Sequence, residues 1–174
     1  MNEIKFSRPY LQEESELAAE WSYPTTFKNI PFTIIIQLLS AILLEKKILI
    51  ISSNLRYLSS FILSIKPLIR PYVYQSIITP IIPLKMVHLL EAPVPFVVGM
   101  TTLPSRDLIP SDVIVFDLLN NQFRTPYQIP LLPNAAILYP FFSYHFIYVS
   151  HFIFIFFLNW SLFLKIRKGN ARFI

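Results

Sequence analysis

Side chains that could carry out covalent chemistry are sparse in this 174-residue chain. It has no cysteine, and its three histidines, His88, His145 and His151, lack the spacing of a metal site. Its two glycines, Gly99 and Gly169, are too few for a loop that cradles phosphate groups. Gly99 instead indicates a close backbone approach or a bulge. These features argue against a metal site and a phosphate-binding loop, which turns attention to residues that could make non-covalent contacts.

One polar stretch follows directly on a buried-looking strand and is the best candidate for such a contact. Residues 48–51 read Ile-Leu-Ile-Ile, and Ser52, Ser53 and Asn54 come next. All three are good N-cap residues for a following helix. Crevices of open α/β sheets lie at the carboxyl ends of their strands. Asn54 and Arg56, which lie at this strand end, are therefore the candidates for an exposed contact with a partner.

The apolar runs around this stretch predict the elements that would position it. A helix of about 15 residues is expected from Pro31, because proline suits a first helical turn. Residues 48–51 lack apolar–polar alternation, as in a strand covered on both faces. A second helix is expected over 55–65, with Pro67 ending it. The stretch is thus a joint between a helix, a strand and another helix.

Further joints of the same kind follow along the chain. Strands are predicted within 76–82, 95–100 and 112–118, and a helix is predicted over 83–92. The asparagine pair 120–121 indicates a turn after the last of these strands. Strands that alternate with helices favour an α/β fold. We therefore predict a central, largely parallel sheet flanked by helices.

Five short motifs, in order between residues 30 and 134, resemble the central lobe of a DENN domain. They are LLEK at 43–46 before the strand and its Ser-Ser pair, PY at 71–72 with P-x-x-P at 80–83, P-x-P-F-x-x-G at 93–99, D-L-x-x-N at 117–121, and IPLLP at 129–133. Tyr74 stands where the family usually has tryptophan. Leu119 stands where it usually has a second acid.

The resemblance implies a function in membrane trafficking. DENN proteins act as guanine nucleotide exchange factors for Rab GTPases, and such factors use no covalent chemistry and no cofactor. The implied partner is a Rab-type small GTPase, and the implied location is cytoplasmic. Asp117, in the D-L-x-x-N motif, joins Asn54 and Arg56 as a candidate contact. Its alternative role is to cap the turn that follows. A small α/β enzyme is the least favoured alternative, because no acid–base constellation is visible.

Composition divides the chain into three zones. Residues 1–29 form a polar segment able to make a short helix, 30–134 form the α/β lobe, and 135–174 form an apolar tail. The net charge of +5 arises mainly in the tail, which has four basic residues and no acid. The lobe and the first segment together carry eleven basic and ten acidic side chains. This distribution argues against nucleic-acid binding.

The tail contains a candidate transmembrane helix over 141–164, a stretch without Asp, Glu, Lys or Arg. The basic residues after it would place the carboxyl terminus in the cytosol and the lobe across the membrane. That orientation conflicts with a cytosolic exchange factor. Two interpretations stay open: a genuine single-pass anchor, or a translated intron of AT-rich composition. With an anchor, the alternative function is a membrane-anchored interaction protein that keeps the lobe without exchange activity.

Overall fold

The computed structural model describes residues 11–70, 72–130 and 132 as three α-helices, two 3₁₀ helices and five strands. The α-helices are α1 (Leu11–Asn29), α2 (Phe32–Leu43) and α3 (Leu55–Leu68). The strands are β1 (Ile48–Ile51), β2 (Ile77–Thr79), β3 (Phe96–Met100), β4 (Ile114–Asp117) and β5 (Gln122–Arg124). The longer 3₁₀ helix is Leu84–Glu91, and the shorter is Arg106–Leu108.

The strands form one sheet in the order β2-β3-β1-β4-β5. β1 pairs in parallel with β3 and with β4, and β2 pairs in parallel with β3. Only the edge strand β5, which was not predicted, is antiparallel. It returns along β4 through a turn in which Asn121 adopts a φ of 51°, a conformation that asparagine tolerates better than most residues. The predicted α/β fold with a largely parallel sheet is confirmed.

The three α-helices cover one face of this sheet. Ile48 and Ile50 of β1 point into this layer and are fully buried. Gly99 of β3 faces the same layer, where a Cβ atom would overlap the carbonyl oxygen of Pro80 and lie 2.6 Å from Cδ1 of Ile62. The predicted close approach at this glycine is therefore confirmed, and it lets α3 lie directly against the sheet.

The opposite face has a thinner cover. Leu49 and Ile51 of β1 pack there against the longer 3₁₀ helix, Leu84–Glu91, and the loops around it. An ordinary helix was predicted over 83–92, but the segment is kinked at Met86, where φ is −102° and ψ is 19°. Leu90 is its one buried residue. Because only one of its residues is buried, this segment gains little packing energy that would stabilise a regular α-helix.

Two helix boundaries differ from the prediction. Pro67 lies inside α3, which ends at the next residue, so the prediction that proline ends this helix was wrong by a short distance. A proline in the last turn removes a single backbone hydrogen bond. α1 is also longer than the short helix expected in 1–29 and contains Pro24.

The predicted C-terminal hydrophobic helix, 141–164, lies outside the described residues. Among the helices that the structure does describe, none combines the length and apolar character needed to cross a membrane.

Candidate partner-binding groove

A groove of about 450 Å³ opens where the carboxyl ends of β1 and β4 meet the helical layer. Its lining comes from three separate parts of the chain: Thr25 and Asn29 from the end of α1, Asn54, Arg56 and Tyr57 from the start of α3, and Leu118 and Leu119 from the β4–β5 turn. Two of the three predicted contact residues, Asn54 and Arg56, therefore line one cavity. The third, Asp117, precedes the turn that forms the opposite wall.

The joint between β1 and α3 is held by local hydrogen bonds. The Ser52 N–H donates to the Met100 carbonyl oxygen (3.2 Å), which continues the β1–β3 ladder. Its hydroxyl oxygen accepts from the Asn54 N–H (3.2 Å), and Asn54 Oδ1 accepts from the Tyr57 N–H (3.1 Å). Of the three predicted capping residues, Asn54 is thus the N-cap of α3. Ser52 is 1% exposed, and its buried hydroxyl stabilises the connection between β1 and α3 through the bond from the Asn54 N–H.

Arg56 is the charged residue of the groove lining. Its side chain is exposed, and within the described part of the chain it makes no ion pair. Asn54 is also exposed, and its Oδ1 is already occupied by the cap while its amide NH₂ has no partner among the described residues. Both residues can therefore donate hydrogen bonds outward. Contact of either with a partner stays a prediction.

Asp117 organises the β4–β5 turn. Its Oδ1 accepts from the N–H groups of Leu119 (2.9 Å) and Asn120 (3.2 Å), and its Oδ2 accepts from Asn120 Nδ2 (2.7 Å). Partial burial alone would raise the pKa of this carboxyl, but the hydrogen bonds from Asn120 and Leu119 and the charge of Arg124 hold the pKa below its usual value. Asp117 therefore shapes the wall that Leu119 forms, and direct contact with a partner stays a prediction.

Tyr57 was not predicted as part of the site. It is 8% exposed, and its hydroxyl makes no hydrogen bond within the described residues. Burial raises the pKa of this phenol to about 12, so it is protonated at neutral pH and can donate a hydrogen bond. Thr25 and Asn29 were also missed, because no signal in residues 1–29 indicated where α1 would pack.

The described residues contain no group of three or more histidine, cysteine, aspartate or glutamate side chains that could hold a metal ion. His88 is exposed on the longer 3₁₀ helix. What the groove offers is a set of hydrogen-bond donors beside an apolar wall, an arrangement suited to binding another molecule.

Comparisons with known proteins agree with this description. The chain is 28% identical over 104 residues to DENN domain-containing protein 2A of Mus musculus, covering 58% of this chain and 10% of that protein. It is 38% identical over 120 residues to the MAP kinase-activating death domain protein of Caenorhabditis elegans, covering 61% of this chain and 8% of that protein. It is 24% identical over 136 residues to human DENN domain-containing protein 1A, covering 76% of this chain and 14% of that protein.

The chain thus spans about a tenth of the length of the curated relatives it matches. The sequence model of the DENN (AEX-3) domain matches residues 1–121. This match begins upstream of the motifs that first indicated the resemblance and includes α1, which packs against α3. The match takes in the whole helical layer, four of the five strands and the groove, and the chain belongs to the DENN domain family.

Proposed function

We propose that this chain is part of a guanine nucleotide exchange factor for a Rab-type small GTPase, acting in membrane trafficking. The observation that carries the proposal is the family match over residues 1–121. An exchange factor needs no nucleophile or cofactor. It binds the nucleotide-free GTPase more tightly than the loaded one, and this difference in affinity drives nucleotide release.

The groove is the surface on which the proposal places the GTPase contact. It lies at the carboxyl ends of β1 and β4, where open α/β sheets commonly bind ligands. Its rim carries an arginine, a residue type that often dominates the binding energy of protein interfaces. Since Rab GTPases work on the cytosolic face of membranes, the proposed location is cytoplasmic.

The second candidate is a membrane-anchored interaction protein that keeps the lobe without exchange activity. The observation that favours it is the tail stretch 141–164, which has no charged residue and enough length to span a bilayer. In this case the lobe would bind its partner at a membrane but would not accelerate nucleotide release.

One set of measurements separates these functions. The purified full chain is mixed with each member of a Rab GTPase panel loaded with a fluorescent GDP analogue, and release is followed after excess GTP is added. Binding to the nucleotide-free form of each GTPase is measured in parallel. Accelerated release from at least one GTPase supports the exchange factor.

Binding to a GTPase without accelerated release supports the interaction protein instead. In that case the full chain should also remain with the membrane fraction of cells until detergent is added. A chain that binds no nucleotide-free GTPase of the panel contradicts the proposed exchange function.

A further inference from the structure

We infer that the groove at the start of α3 receives one acidic side chain of the partner GTPase, with Arg56 as its ion-pair partner. The inference rests on the proposed function, because it names the chemistry of the contact that the GTPase would make. It goes further by assigning a polarity to the site: the lobe supplies the cation and the donors, and the partner supplies the carboxylate.

The start of α3 favours a negative charge. α3 has 14 residues, and its amino-terminal end carries the positive part of the helix dipole. Asn54 caps the N–H of Tyr57, whereas the N–H groups of Leu55 and Arg56 have no partner among the described residues. The Arg56 guanidinium adds a full positive charge beside them. A carboxylate placed here would meet a cation and unpaired backbone donors together.

The end of α1, which forms the facing wall, makes hydrogen bonds of its own and carries a cation. The carboxyl end of a helix carries partial negative charge on its last carbonyl groups. Here the carbonyl oxygen of Thr25 accepts from Asn29 Nδ2 (2.8 Å), and that of Asn29 accepts from Asn121 Nδ2 (3.4 Å). Lys28 also lies in this last turn. Two carbonyl groups at this end of α1 are therefore hydrogen-bonded within the chain, and a cation lies in the same turn.

Tyr57 supplies the aromatic side chain of the groove lining and is 8% exposed. Its hydroxyl has no hydrogen-bond partner in the described part of the chain. A buried hydroxyl that lacks a partner costs about 1 to 3 kcal/mol. The hydroxyl itself is shielded from solvent, so a bound acceptor relieves that cost only where the groove wall shifts to admit it.

The surroundings favour a protein carboxylate over a membrane headgroup. Leu55 and Leu119 flank the polar lining and are 51% and 54% exposed. Recognition of anionic lipid commonly uses clusters of about four to eight basic residues, whereas Arg56 is the one basic residue that lines this groove. A single guanidinium with adjacent leucines matches an acidic residue next to an apolar one on a protein surface.

The test measures the dissociation constant of the full chain for the nucleotide-free GTPase that it binds best. Arg56→Ala should weaken binding about tenfold, and Arg56→Glu should weaken it further. Arg56→Lys should retain part of the affinity, because it keeps the charge but loses the bidentate geometry. The matched control is Arg106→Ala, an exposed arginine on the shorter 3₁₀ helix. It should bind as the natural chain does.

A charge swap then identifies the acid. Each exposed Asp or Glu near the GTPase switch regions is replaced by lysine and tested against Arg56→Glu. Restored binding for one pair confirms the inference. If the natural chain binds a GTPase and both Arg56→Ala and Arg56→Glu bind equally well, the inference is overturned while the proposed function stands.

Two other outcomes also overturn the inference. If the natural chain binds no GTPase of the panel, the proposed function and the inference fall together. Co-sedimentation with phosphatidylserine vesicles tests whether the bound anion is instead a lipid headgroup. If Arg56→Glu abolishes vesicle binding but not GTPase binding, the groove binds a headgroup and not a side chain of the GTPase. Thermal unfolding of each variant establishes that the exposed substitutions leave the fold intact.

Discussion

The face of the sheet that carries Ile48 and Ile50 is covered by three α-helices, whereas the face that carries Leu49 and Ile51 is covered by a kinked 3₁₀ helix and loops. On the helical face, α3 alone buries Phe61 and eight other residues. On the opposite face, the longer 3₁₀ helix buries a single residue and leaves Leu84 half exposed.

This asymmetry separates two properties of the lobe. The helical face combines the larger part of the core with the groove, so packing there determines both stability and the geometry of the candidate site. Exposed apolar side chains follow one another along residues 81–108, the segment that includes the longer 3₁₀ helix. They are Ile81, Leu84, Met86, Leu89, Val94, Leu103 and Leu108. Substitutions of these exposed side chains should change stability little.

The largest effect is expected from Phe61→Ala in α3. Phe61 is 1% exposed, and its ring lies 5.7 Å, centroid to centroid, from that of Phe116 in β4. Truncation removes buried apolar area and leaves a cavity, which should lower the free energy of unfolding by about 3 to 5 kcal/mol. Urea unfolding followed by circular dichroism measures this change.

The control on the opposite face is Leu89→Ala. Leu89 is 40% exposed on the longer 3₁₀ helix, so its truncation should cost no more than about 0.5 kcal/mol. Equal losses for the two variants would contradict the asymmetry between the faces.

The second expected effect concerns the contact between α3 and the sheet. Gly99→Ala places a Cβ atom against the carbonyl oxygen of Pro80 and the side chain of Ile62. Since backbone must move to make room, we expect a loss of about 1 to 3 kcal/mol in unfolding free energy. The double variant with Ile62→Val should recover part of the loss. A stable Gly99→Ala chain would show that α3 is less tightly seated than described.

The third effect tests the cap of α3 and separates folding from binding. Asn54→Ala removes the acceptor for the Tyr57 N–H and should cost about 1 kcal/mol of unfolding free energy. Asn54→Asp keeps a capping oxygen, so its stability should match that of the natural chain. It also places a negative charge at the groove and should weaken GTPase binding. Tight binding by Asn54→Asp would argue against a cationic site.

The smallest effect is a pH dependence at Asp117. Its folded-state pKa lies below the ordinary value of 3.8, so the ionised carboxylate stabilises the fold above that pH. This stabilisation is lost as the pH falls below about 4 toward the folded-state pKa. Urea midpoints measured from pH 6 to pH 3 should therefore fall more steeply for the natural chain than for Asp117→Asn.

The control for this titration is Asp107→Asn in the shorter 3₁₀ helix on the opposite face. Asp107 is exposed and makes no hydrogen bond within the described residues. Its variant should follow the pH dependence of the natural chain. If the urea midpoint of Asp117→Asn also follows the pH dependence of the natural chain, the stability of the turn does not depend on the charge of Asp117.

The central strand was predictable because a run of four apolar residues without alternation, bounded by polar residues, is typical of a strand buried on both faces. All four residues of β1 are buried and paired on both sides. The role of α1 was not predictable in the same way. Its buried positions, Ala19, Ser22, Tyr23 and Thr26, have helical spacing, but two are small polar residues that carry no hydrophobic signal. The backbone carbonyl oxygen of Ser22 accepts a hydrogen bond from the Ser60 hydroxyl in α3 (3.2 Å), which helps to fix α1 against α3.

The candidate site was half predictable for the same reason. Asn54 and Arg56 followed from the rule that ligands meet strand ends, which needs only local sequence. Thr25 and Asn29 come from a helix whose position is decided by packing against α3. Tyr57 looked like an ordinary aromatic of a helix, because nothing in sequence shows that its hydroxyl lacks a partner.

The position of β1 in the middle of the sheet has a consequence for synthesis on the ribosome. β1 is the first strand in the described part of the chain, yet its partner strand β4 begins 66 residues later. At about 5 to 20 residues per second, the four aliphatic residues wait about 3 to 13 s before that edge can be paired. An unpaired apolar strand is a site for aggregation and for chaperone binding. During synthesis, folding of the lobe therefore depends on a chaperone or another contact that covers β1 until β4 emerges from the ribosome.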